Sequence, residues 1–124
     1  MSARIVGLPV SFKKPHKYLA KRTVYNGVSY ASKAEAARAA KLDWMSGEIR
    51  FWLGQPKFRL GCPENIYVPD FLVCMRNGDV YVEDVKGVET AKFRRDKKLW
   101  AKYGPCDLWI IWEDHAEMIE GGAA

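Results

Sequence analysis

Asn77-Gly78 falls between two β-rich runs, residues 66–75 and 80–86, and no other feature of the chain constrains its fold so tightly. Asn-Gly tolerates the positive φ of a tight hairpin turn, so the two runs are expected to pair as antiparallel strands. Asp70 and Asp84 lie at similar distances from that turn, and pairing through it carries one close to the other. Side chains alternate across a strand, so Asp84 and Lys86 share one face while Glu83 and Val85 take the other. Two carboxylates and an ammonium are thereby expected in one small volume.

The remaining segments supply a scaffold for this hairpin. Asn26-Gly27, between Thr23-Val24-Tyr25 and Val28-Ser29-Tyr30, carries the same hairpin signal. Ser32 with Glu35 has the capping-box spacing, and the alanine-rich stretch 33–46 is expected to be a helix stopped by Gly47. Its inner face would hold Glu35, Ala39, Leu42 and Met45 or Ser46. Residues 49–60 read as extended but broken at Gly54 and Pro56, and residues 61–65 as a loop. A second helix is expected over 90–103, capped by Thr90 and closed by Gly104-Pro105, with Phe93, Lys97 and Trp100 along one stripe. The unbroken apolar run 108–112 suits an interior strand, and the chain from Glu113 onward reads as short, acidic and frayed by Gly121-Gly122. This order implies an α/β domain with a mixed central sheet of about five strands and flanking helices.

Length and charge narrow the classes of function. The 124 residues suffice for one domain, read here as residues 23–124 behind a basic arm, residues 1–22. The arm holds Arg4, Lys13, Lys14, Lys17, Lys21 and Arg22 with no acidic residue, so the rest of the chain carries −1 of the net +5. A second basic cluster comprises Lys92, Arg94, Arg95, Lys97, Lys98 and Lys102. Basic clusters beside acidic motifs indicate a polyanionic partner, nucleic acid first. Cys62, Cys74 and Cys106 are odd in number and widely spaced, which speaks against a disulfide framework. His16 and His115 lack zinc-like spacing, and the five tryptophans are expected in the core or at an interface. With no leader and no apolar run near the ~20 residues of a membrane span, a soluble cytoplasmic protein without a membrane partner is expected.

Adjacent carboxylates raise one another's pKa unless a cation intervenes. A hard divalent ion such as Mg²⁺ takes oxygen ligands and keeps several waters, so Asp70, Asp84 and a backbone carbonyl such as that of Val85 form a suitable partial set. Such an ion can activate water and stabilise charge on a scissile phosphate. Lys86 can position the water or neutralise the transition state. Glu35 can complete the shell, hold a second metal, or serve only as the partner of Ser32.

Pro69-Asp70 followed by Asp84-Val85-Lys86 resembles the PD-(D/E)XK nuclease signature. The blocks Tyr25-Asn26-Gly27, Ser32-Lys33-Ala34-Glu35, Gly47-Glu48-Ile49, Gln55-Pro56, Pro69-Asp70-Phe71 and Glu83-Asp84-Val85-Lys86-Gly87 resemble a family of small, mostly phage-encoded nuclease-like proteins related to Holliday-junction resolvases. The resemblance spans residues 17–112 and implies a restriction-endonuclease-like core. It implies Glu35, Asp70, Asp84 and Lys86 as the site, Gln55 as an accessory, Mg²⁺ as cofactor with Mn²⁺ as its substitute, and DNA, branched DNA included, as substrate. The triplet opens with Asp where many relatives carry Glu, and both ligate metal. A domain this small can hardly surround a duplex, so a homodimer with two active sites is expected. A catalytically silent nucleic-acid-binding module of the same fold and an RNA-directed nuclease stay open as alternatives.

Overall fold

The computed structural model describes the backbone of residues 3–6 and all of residues 22–124. Its centre is a mixed six-stranded sheet in the order β1-β10-β9-β8-β7-β4. These strands are β1 (Ala3–Val6), β4 (Ile49–Gly54), β7 (Phe71–Met75), β8 (Val80–Val85), β9 (Asp107–Ile111) and β10 (Ala116–Ile119). Every neighbouring pair is antiparallel except β8 and β9, which are joined through α2 (Ala91–Tyr103). Two short ribbons stand apart from the sheet: β2 (Thr23–Tyr25) with β3 (Val28–Tyr30), and β5 (Phe58–Arg59) with β6 (Ile66–Tyr67). Helix α1 (Lys33–Trp44) completes the fold.

Strand alternation divides the core into two layers. Phe71, Val73, Val85, Ile111 and Ala116 point to α1 and bury Ala34, Ala36, Ala39 and Leu42. Val82, Leu108, Ile110 and Ile119 point the other way and pack with Phe93 and Trp100 of α2, with Leu60 and Tyr67 beside them. The helices begin where their caps predict. The Ser32 hydroxyl accepts from the Glu35 N–H at 3.1 Å, and the Thr90 hydroxyl accepts from the Phe93 N–H at 3.1 Å.

The hairpin at Asn26-Gly27 forms with both residues left-handed, φ 50° and 80°. At Asn77-Gly78 only the glycine is left-handed, φ 98°, and the Asn77 side chain instead accepts from the Asp79 N–H at 2.9 Å. The pairing expected from this turn is present, with Leu72 opposite Val82 and Phe71 opposite Glu83.

Three departures from the sequence reading have local causes. Residues 66–75 do not form one strand, because Pro69 interrupts the ladder and Tyr67 pairs instead with Phe58. The segment after Glu113 is not frayed. Ala116–Ile119 is an interior strand, and the Gly122 and Ala123 N–H groups donate to the carbonyls of Trp100 and Gly104. This close seat needs glycine: a Cβ on Gly122 would meet the Ala101 carbonyl oxygen at 2.2 Å. Finally, residues 3–6, assigned above to the arm, pair with β10 as the outermost strand. Lys13, Lys14, Lys17 and Lys21 lie outside the described residues, while Arg22 donates to the Ser29 hydroxyl and carbonyl at 3.0 and 3.1 Å.

Trp100 is fully buried and Trp52, Trp109 and Trp112 are half-buried, but Trp44, at the end of α1, is 83% exposed. Among the described residues no helix is long and apolar enough to cross a membrane.

Candidate active site

Past Phe71 the β7–β8 ladder gives way to side chains. Pro69 diverts the chain, and the β7–β8 register ends with Phe71 opposite Glu83. The Asp70 carboxylate lies just beyond, its Oδ2 accepting from the Val85 N–H at 2.7 Å. The Gln55 N–H in turn donates to the Asp70 carbonyl at 2.8 Å. Gln55 sits at φ 53°, and its contribution here is this backbone brace.

Asp84 is buried on the same sheet face. Its Oδ2 accepts from the Tyr67 hydroxyl at 2.5 Å and lies 3.3 Å from the Lys86 Nζ. The Lys86 ammonium rests over the Phe93 ring, 4.5 Å from its centroid, so α2 supports the cation from beneath. Burial pushes the Tyr67 hydroxyl far above the ordinary phenol range, and the charges of Asp84, Asp70 and Asp96 push it the same way. The phenol is therefore a fixed neutral donor in a field of acidic groups. Asp96, buried on α2, accepts from the Lys92 ammonium at 2.9 Å.

Glu83 faces α1, as alternation requires, and binds Arg38 through two contacts of 2.7 Å. Burial alone would lower the Arg38 pKa, but the Glu83 carboxylate outweighs it and raises it. Glu35 is buried in α1, one turn before Arg38. Asp70 and Asp84 thus meet at the end of β8 beside Lys86, while Glu35 is buried in α1, on the opposite face of the sheet. Among the described residues no three His, Cys, Asp or Glu side chains form a ready metal-binding group. The chemistry of the two aspartates nonetheless suits a hard divalent cation, which needs few carboxylates when waters complete its octahedron.

The exposed side of α2, which starts five residues after Lys86, presents Lys92, Arg94, Arg95 and Lys98. Arg95 also donates to the Asn65 side chain at 2.6 Å. Lys97 departs from this set. Its side chain is 15% exposed, pairs with Glu89 and Glu117, and covers Phe93. Tyr67 and Asp96 escaped the sequence reading. A phenol in the apolar run before Pro69-Asp70 needs a buried partner, and Asp96 lies between Phe93 and Trp100 on the inner stripe of α2; both were usable signals.

The family described as "Protein of unknown function (DUF1064)" matches residues 15–116, a span that includes Glu35, Gln55, Tyr67, Asp70, Asp84 and Lys86. The chain belongs to that family. DUF1064 membership covers the hairpin, both helices and the interior strand β9. No curated protein and no solved structure matches the chain.

Proposed function

We propose that this DUF1064 protein is a metal-dependent endonuclease hydrolysing DNA phosphodiester bonds. One observation carries the reading: Asp70 and Asp84 converge on one face where the β7–β8 pair ends, with the Lys86 ammonium 3.3 Å from Asp84 Oδ2. A solvated sheet face has no need to bury an aspartate against a lysine and a tyrosine. The resemblance to the PD-(D/E)XK signature falls on the same residues.

Asp70 and Asp84, with the Val85 carbonyl as a further donor, would hold Mg²⁺ or Mn²⁺; bound there, the cation supplies an activated water and neutralises charge on the phosphate. Lys86, steadied by Phe93, directs its ammonium at charge developing in the transition state. Glu35 contributes from the α1 side, and Gln55 braces Asp70 through the backbone. Lys92, Arg94, Arg95 and Lys98 meet the DNA backbone beside the site, together with Arg22 and the arm lysines Lys13, Lys14, Lys17 and Lys21. The working unit is a homodimer acting in the cytoplasm, that of the host where the chain is phage-encoded. Branched DNA is its preferred substrate.

The test is cleavage of a labelled four-way DNA junction, a matched linear duplex and an RNA of the same sequence, each with Mg²⁺ or EDTA. Metal-dependent cutting of DNA by the wild type, lost in Asp84→Ala and Lys86→Ala, is the expected result. Cutting of the RNA alone would replace the DNA reading with an RNA-directed one. Failure of a folded, DNA-binding wild type to cut anything in Mg²⁺ or Mn²⁺ would refute catalysis.

A further inference from the structure

Within the nuclease reading above, we propose that Tyr67 is a positioning residue that sets the orientation of the Asp84 carboxylate toward a divalent cation. Tyr67 reaches Asp84 from β6, outside the main sheet, because Pro69 turns the chain between them. Its ring is packed edge-on against Trp100 at 5.9 Å between centroids and tilted against Phe93 at 6.5 Å. The hydroxyl therefore has little freedom, and it donates to Asp84 Oδ2 at 2.5 Å.

The contact between the packed phenol and Asp84 Oδ2 carries the proposal. Tyr67 and Lys86 both engage Asp84 Oδ2, the hydroxyl at 2.5 Å and the ammonium at 3.3 Å. Tyr67 thus clamps the carboxylate through Oδ2 from a rigid aromatic seat. The clamp from Tyr67 carries no charge, so it fixes the group without cancelling the negative charge that attracts a cation. Lys86 by itself would pull the carboxylate into an ion pair and leave its rotation to the flexible lysine stem. An outer-sphere partner of this kind is worth roughly ten- to hundredfold in metal affinity.

The test is Mn²⁺ binding to the full chain without nucleic acid, followed by electron paramagnetic resonance, for wild type, Tyr67→Phe and Asp84→Asn. Tyr67→Phe retains the ring contacts and is expected to keep the wild-type circular dichroism while its Mn²⁺ dissociation constant rises about ten- to hundredfold. Its cleavage rate should recover at raised Mn²⁺, which a general packing defect would not allow. Equal affinity in wild type and Tyr67→Phe, with Asp84→Asn impaired, would overturn the role of Tyr67 and leave the nuclease reading standing. No Mn²⁺ binding by the wild type would overturn both. A second readout needs no variant: Mn²⁺ added to the wild type should broaden the ring resonances of Tyr67 and Phe93 first. Unbroadened Tyr67 signals at saturating Mn²⁺ would refute the proposal even if Tyr67→Phe fails to fold.

Discussion

Replacing Arg38 with methionine leaves the Glu83 carboxylate in the core without its cation. The pair is bidentate, with both contacts at 2.7 Å, and the side chains are 11% and 2% exposed for Arg38 and Glu83. Water therefore cannot take the place of the guanidinium. Breaking a buried pair from one side costs about 3–5 kcal/mol, most of it the stranded charge. Taking about 4 kcal/mol, and about 2.1 cal/mol/K of unfolding entropy per residue for a chain of this length, the midpoint of thermal unfolding falls by about 15 °C. That is a large share of the roughly 5–15 kcal/mol that holds a domain together. The double variant Arg38→Met/Glu83→Met removes both charges and should return to within about 1 kcal/mol of the wild type. Urea unfolding followed by tryptophan fluorescence and by circular dichroism measures the whole cycle. Arg38→Met losing less than about 1 kcal/mol, or a double variant no better than the single, would refute the reasoning. Because Arg38 ties α1 to β8 one turn from Glu35, the single variant should also lose cleavage before it loses its fold.

The remaining predictions concern the surface, the thiols and the chain end. Lys98→Ala and Arg94→Ala should each reduce the slope of DNA affinity against salt by about 0.9, whereas Lys97→Ala should leave that slope unchanged, as a filter-binding titration would report. Burial, then the Asp107 charge, pushes the Cys106 thiol up to about 11. The folded protein thus holds this proton more tightly than the unfolded chain. The stability it adds is complete below the ordinary thiol value and is lost as pH rises toward about 11. At pH 8–9 a thiol reagent should label exposed Cys62 quickly and Cys106 slowly; equal rates would contradict this. Gly121→Ala places a Cβ 2.4 Å from the carbonyl oxygens of Gly104 and Cys106. It should cost about 1–3 kcal/mol in thermal unfolding, and no cost would mean that the tail is not docked.

Local physical chemistry made much of this molecule legible in advance. Asn26-Gly27 takes the left-handed turn that its residue types allow, and Ser32 and Thr90 cap the helices that their hydroxyls announce. The opposite facing of Asp84 and Glu83 follows from the strand repeat alone, and the hairpin register brings Asp70 to the level of Asp84. All of these depend on neighbours in sequence or on a single turn, where backbone preference and periodicity act directly.

What the sequence by itself determined, then, is the α/β order of elements, the two hairpins, the helix starts and the pairing of Asp70 with the Asp84-Val85-Lys86 end of β8. Tertiary structure alone decided which polar side chains would be partners across the fold. Tyr67 finds Asp84 seventeen residues away, Arg38 finds Glu83 forty-five residues away, and Lys97 turns from solvent to Glu89 and Glu117. It likewise decided that Ala3–Val6 and Ala116–Ile119 would pair. The physical reason is that a buried charge or hydroxyl needs a partner but does not specify one. Which group answers depends on which surfaces the packed sheet and helices bring within about 3 Å, and no local pattern encodes that distance.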